Sequence, residues 1–151
     1  MTAETATFDL PKLEHFLTYR LHVVNKLSDR DTHSAYLDAV GMPLGEARCL
    51  AAIGRFEPLS MNEVARAANL DKSHASRSVQ ALVERGLVLK QTSETDGRSV
   101  VLKSTSQGKR RYRDVVALIA RRNEEIFGCL SESERCQLAG MLDRVIAAMR
   151  A

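Results

Sequence analysis

Four side chains that can make directional polar contacts crowd the start of one helical segment: Lys72, Ser73, His74 and Arg77. The segment's apolar stripe is Ala75, Val79, Leu82 and Val83. With Val79 at its centre, Arg77 points almost directly away, flanked by Ser73 and His74. Small, basic, hydrogen-bonding residues near a helix start suit the edges of base pairs and the phosphates beside them. The helix start itself attracts phosphate. An ordinary solvated face has the same composition, so this pattern alone leaves both readings open.

A second constellation lies in Asp96-Gly97-Arg98. Asp-Gly is a hairpin-turn signal, so Arg98 is expected to project past a narrow tip. Asp96 is placed to brace its guanidinium through a bidentate bond. Such an Arg fits a minor groove, where the potential is most negative. A surface Asp–Arg pair worth about 0–1 kcal/mol is the plain alternative.

Other chemistries find little support. No G-x-S-x-G, P-loop, G-x-G-x-x-G or H-E-x-x-H arrangement is present, so no enzyme and no cofactor are expected. His15, His22, His33 and His74 have no partners at catalytic or metal spacing. Cys49, Cys129 and Cys136 form no C-x-x-C pair and read as reduced thiols. The first residues lack the basic and apolar regions of a signal peptide, and no apolar run is long enough for a membrane helix. A cytoplasmic protein without a membrane partner is therefore expected.

The 151 residues are 44% hydrophobic and 27% charged, the balance of a globular chain. From Ser60 to Arg113 eleven Lys/Arg stand against five Asp/Glu, a net of +6 in a chain whose total is +3. A basic middle between slightly acidic ends points to a polyanion.

The elements that must position these residues follow from periodicity. Leu10, Leu13, Phe16, Leu17, Leu21, Val24 and Leu27 recur at helical steps, predicting a helix from about Asp9 to Arg30 that continues toward Gly41. Asp9 is its expected cap, with Pro11 in its first turn. A second helix is predicted over Leu44 to Phe56. Ser60-Met61-Asn62-Glu63 reads as a capping box opening a short helix, and Asn69-Leu70-Asp71 as a turn. Asp71 caps the helix Lys72 to Arg85, which Gly86 ends. The period then changes to about 2, giving strands at Leu87 to Thr92 and Ser99 to Lys103. A long helix from Thr105 to Phe127 follows, then a last helix behind the capping box Ser131-Glu132-Ser133-Glu134. The fold class is thus mainly α with a small β-hairpin wing. It is a winged helix-turn-helix with an N- and C-terminal helical region.

The run from Asn62 to Val88 resembles the helix-turn-helix of the MarR family. Asp96-Gly97-Arg98-Ser99, with Leu102 and Thr105-Ser106-Gln107-Gly108, resembles that family's wing and its exit. The resemblance implies a DNA-binding transcriptional repressor. Ser73, His74 and Arg77 would face the groove, and Arg98, oriented by Asp96, would enter the minor groove. Ser60, Asn62 and Lys72 would hold phosphates. Residues 42–105 would form the DNA-binding domain.

The first helix and the last two carry apolar stripes that a winged domain alone cannot cover. By resemblance, residues 1–41 and 106–151 would build a homodimer that reads a pseudo-palindromic operator, with half-sites about 34–36 Å apart. The family commonly responds to small aromatic carboxylates. Candidate contacts for such an effector are His15, Tyr19, Arg20 and His22 on the first helix, and Arg48 and Cys49 on the second. The stretch Phe16 to Leu27 resembles members that control nicotinate catabolism, making a hydroxynicotinate the first ligand to try. Two rival readings remain: a thiol-based redox sensor, and a winged helix that binds proteins.

Overall fold

Six helices and one hairpin succeed one another in the computed structural model, which describes residues 10–92, 97 and 99–151. After a 3-10 turn at Leu13–His15 come α1 (Leu17–Val40), α2 (Leu44–Phe56), α3 (Met61–Ala67) and α4 (Lys72–Glu84). Strands β1 (Val88–Thr92) and β2 (Val100–Ser104) follow, then α5 (Ser106–Phe127) and α6 (Glu132–Arg150). The mainly helical winged architecture expected from the sequence is the one observed.

Local signals set most boundaries. Gly41 closes α1 with φ 64°, and Gly86 follows α4 with φ 73°, left-handed conformations that favour glycine. The Ser60 hydroxyl accepts from the Glu63 N–H at 3.2 Å. The returning bond of a capping box is not made there among the described residues. At Ser131 both halves are present. The strands pair antiparallel, with Val88 opposite Ser104 and Thr92 opposite Val100. Each strand begins one residue later than the periodicity indicated.

The first helix departs from expectation. Leu10 to His15 do not join it: Phe16 is extended, with φ −75° and ψ 138°, and α1 starts at Leu17 without a side-chain cap. Asp9, the expected cap, lies outside the described residues. Apolar spacing records which residues share a face, and the Leu10–Leu27 stripe runs across a backbone break that leaves no mark on it.

One core joins the helices. Leu50 and Ile53 of α2, Val64 of α3, Val79 and Leu82 of α4, Leu102 of β2 and Val115 of α5 are all within 2% of complete burial. Tyr36 and Val40 of α1 and Leu118 of α5 belong to the same cluster, so the core crosses positions 41 and 106. Thr32 reinforces this junction by accepting from the Arg122 guanidinium at 3.1 Å. Glu57 anchors the hairpin: its carboxylate accepts from the Ser104 N–H at 2.8 Å and hydroxyl at 2.6 Å. Leu59 and Leu102 exchange backbone hydrogen bonds beside it.

The outer helices contrast with this. The N-terminal half of α1 contributes nothing to the core, and α6 has no buried residue. Leu17, Val24 and Leu27 of α1 and Met141, Val145, Ile146 and Met149 of α6 are exposed.

Candidate nucleic-acid interface

The interface is built on α4. Asp71 caps it, accepting from the His74 N–H at 2.7 Å. That bond is the first cause holding the Asp71 carboxyl below its ordinary range. The cap follows the Asn69 turn, where φ is 55°, a conformation Asn tolerates better than most residues. Ala75, Ser78, Val79 and Leu82 bury one side of the helix. The opposite side presents Lys72, Ser73, Ser76, Arg77 and Gln80 to solvent. Arg77 donates to the Ser73 hydroxyl at 3.2 Å, so its guanidinium is directed toward the helix N-terminus. Gln80 accepts from Lys90 of β1 at 3.2 Å, tying the far end of this face to the wing.

His74 does not share the exposure of its neighbours. It is half-buried, and a Cβ added at Gly45 would lie 2.5 Å from its Nε2. Its ring therefore packs over the start of α2, because the adjacent glycine leaves room there. Ser76 and Gln80 were not among the sequence candidates; the buried face is centred between Val79 and Ser78 rather than on Val79, which turns both of them outward and His74 inward. Asn62 is exposed and Ser60 is half-exposed at its cap. Asp96 and Arg98 lie outside the described residues.

The proposed effector contacts are scattered. His15, Tyr19, Arg20 and His22 are exposed on the 3-10 turn and α1, with Arg20 donating to the His15 carbonyl at 3.3 Å. Cys49 must be withdrawn as a ligand contact, because it is completely buried between α2 and α4. Burial, opposed in part by a hydrogen bond with Ser78, pushes its thiol up to about 12. Arg48 fares differently. It pairs with Asp29 of α1 at 3.4 Å and lines a cavity of about 380 Å³ between α2, α3 and α5.

Of the residues that line it, only Arg48 was among the sequence candidates. Arg48 and Arg55 from α2, Asn69 from the turn before α4, and Tyr112, Val116 and Ile119 from α5 form its walls. Gly54 lets the Tyr112 ring approach, since a Cβ there would lie 2.3 Å from it. The Arg55 guanidinium sits 5.0 Å from the centroid of the Phe56 ring. The arrangement combines an apolar wall, an aromatic ring and two cations, a lining suited to a planar anion. Arg55 lies two turns after Arg48, a spacing that could have revealed it. Among the described residues no group of His, Cys, Asp and Glu is placed to hold a metal, and no helix is long and apolar enough to cross a membrane.

Comparison with known proteins agrees with this geometry. Residues 40–99 match the MarR family. The chain is 28% identical over 109 residues to the HTH-type transcriptional regulator BilQ of Clostridium symbiosum, covering 72% of this chain and 76% of that one. A MarR family regulator from Silicibacter pomeroyi has the same fold, with a TM-score of 0.80 and 20% identity over 93% of this chain and 94% of its own. CouR from Rhodococcus jostii RHA1, solved bound to p-coumaroyl-CoA, superposes with a TM-score of 0.78 and 21% identity over 90% and 95% of the two chains. The capped recognition helix and the first strand of the hairpin lie within residues 40–99, over which the chain is similar to the MarR family of transcriptional regulators.

Proposed function

We propose that the protein is a homodimeric, ligand-released repressor that reads a pseudo-palindromic operator with α4 and its hairpin. The observation that carries this reading is the solvent-facing Ser73–Arg77 pair on a capped helix coupled to the wing. Arg77 reads a guanine edge, with Ser73 orienting it and meeting base or phosphate. Ser60, Asn62 and Lys72 hold phosphates, which gives affinity and salt dependence rather than sequence choice. His74 packs against α2 and reaches the groove only from its half-buried position. Arg98, braced by Asp96, enters the minor groove. Residues 42–105 form the reading unit, and residues 1–41 and 106–151 supply the dimer contacts.

The effector is a small aromatic carboxylate that enters the cavity between α2, α3 and α5. Arg48 and Arg55 meet its charge and Tyr112 its ring. His15, Tyr19, Arg20 and His22 are not among the lining residues of this cavity, so they contribute only if dimerisation brings a second copy's α1 to it. The cavity touches Asn69, two residues before the Asp71 cap, so its occupant bears on the orientation of α4. A ligand releases DNA only by binding better to the DNA-incompetent arrangement of the two recognition helices. The ligand bound by CouR, an aromatic acyl thioester, supports an aromatic occupant.

Fluorescence anisotropy with the duplex upstream of the protein's own coding region, with and without 6-hydroxynicotinate and p-coumarate, tests this. Tight, salt-sensitive binding that one of these acids abolishes is expected. Binding that ignores both acids would remove the effector assignment and leave the repressor.

A further inference from the structure

The run Lys109-Arg110-Arg111-Tyr112-Arg113 holds four of the eleven cations in the basic middle of the chain. It occupies the first two turns of α5, the positive end of a 22-residue helix, and no acidic residue stands in the first turn. Cations at that end oppose the helix dipole. The same chain follows the favourable pattern at α6, with Glu132 and Glu134 in the first turn. A run that breaks a local rule without repair nearby marks a place where function sets the sequence.

One of the four cations has an internal role. Arg111 donates to the Val40 carbonyl and, at 3.2 Å, to the Asp114 carboxylate. Lys109, Arg110 and Arg113 are exposed, and among the described residues their side chains make no ion pair or hydrogen bond. At 3.6 residues per turn they share a sector about 100° wide on the side away from buried Val115. Their element is fixed to the DNA-reading unit. The Thr105 hydroxyl donates to the Gly86 carbonyl at 2.7 Å, the Thr105 N–H donates to the Leu87 carbonyl at 3.0 Å, and Gly108 lies directly on Leu87. The three cations therefore move with the end of α4 and the base of the wing.

We infer that Lys109, Arg110 and Arg113 form a second phosphate-binding face, which extends the DNA footprint along the backbone beyond the recognition helix and the wing. This rests on the DNA-binding reading above. Duplex DNA is the occupant argued here because the face carries only positive charge and is bonded to the base of the wing, in the unit that reads DNA. Three unpaired cations without apolar neighbours between them suit a partner recognised by charge density alone.

The test compares wild type, K109Q/R110Q/R113Q and R77A by anisotropy against the upstream duplex and a random-sequence duplex, over a series of salt concentrations. The triple variant should lose affinity for both duplexes by a similar factor, about tenfold or more at low salt. Its slope of log K on log salt should be shallower by about 2–3 for each protomer engaged. R77A should lose mainly the preference between the duplexes. The triple variant should melt no lower than wild type, since the substitutions remove a conflict with the helix dipole. Wild-type affinity and slope in the triple variant would overturn the inference while leaving the DNA-binding reading intact. A wild type that binds neither duplex would overturn both.

Discussion

The Cys49 thiol, pushed up to about 12 by its burial, stays protonated at neutral pH and is shielded from solvent. Thiolate is the reactive form, so Cys49 cannot serve as a peroxide sensor in the folded state. Cys49 should resist alkylation by iodoacetamide in the native protein and react only after denaturation, as mass spectrometry of the alkylated peptides will read. Arg77 is its counterpart on the surface, and Arg77→Ala should cost about 1–3 kcal/mol of discrimination between the operator and random duplex. Asp71 carries the pH dependence of α4. Its carboxyl is held low by the His74 N–H, so the ionised cap stabilises the helix fully at neutral pH. That contribution is lost as pH falls through the lowered value. Thermal melts should show an acid-side loss of stability that Asp71→Asn, an uncharged cap, reduces.

Among the elements, α5 and the hairpin are joined by contacts that single substitutions test. A Cβ at Gly108 would lie 1.9 Å from the Leu87 carbonyl oxygen, which is backbone and cannot step aside cheaply. Gly108→Ala should destabilise the fold by roughly 1–3 kcal/mol, as overpacking does, measured by denaturant unfolding. Glu57→Ala removes the acceptor for two donors of Ser104 and should free the wing, seen as faster amide exchange in β2. Helix ends were legible wherever a side chain or glycine marks them: Asp71, Gly86, Thr105 and Ser131 each stand where the sequence placed them. The start of α1 was not, because Phe16 carries no capping group and the apolar stripe crosses the break. The site was legible at Arg77, which stands opposite a single clean stripe. It was illegible at Cys49 because α2 packs against both α4 and α5. A helix covered on two sides has no simple stripe from which to infer an exposed face. The cavity beside Arg48 was hidden for a related reason: its walls come from three elements, and no spacing within one of them encodes the gap.

At the scale of the whole molecule, α6 is the feature that a single chain leaves unexplained. It is well capped and 19 residues long, yet none of its residues is fully buried, and Met141, Val145, Ile146 and Met149 are exposed, as Leu17, Val24 and Leu27 of α1 are. A second copy is the occupant the account assigns. Val145→Asp with Ile146→Asp should convert the protein to monomers in sedimentation and abolish tight operator binding, since one recognition helix then reads one half-site. The most direct test of the central claim is selection of bound sequences from a random duplex library by the wild-type protein. Enrichment of a pseudo-palindrome whose half-site centres lie about one helical turn apart, about 34–36 Å, is expected. Enrichment of no sequence, or of a motif without two-fold symmetry, would contradict it.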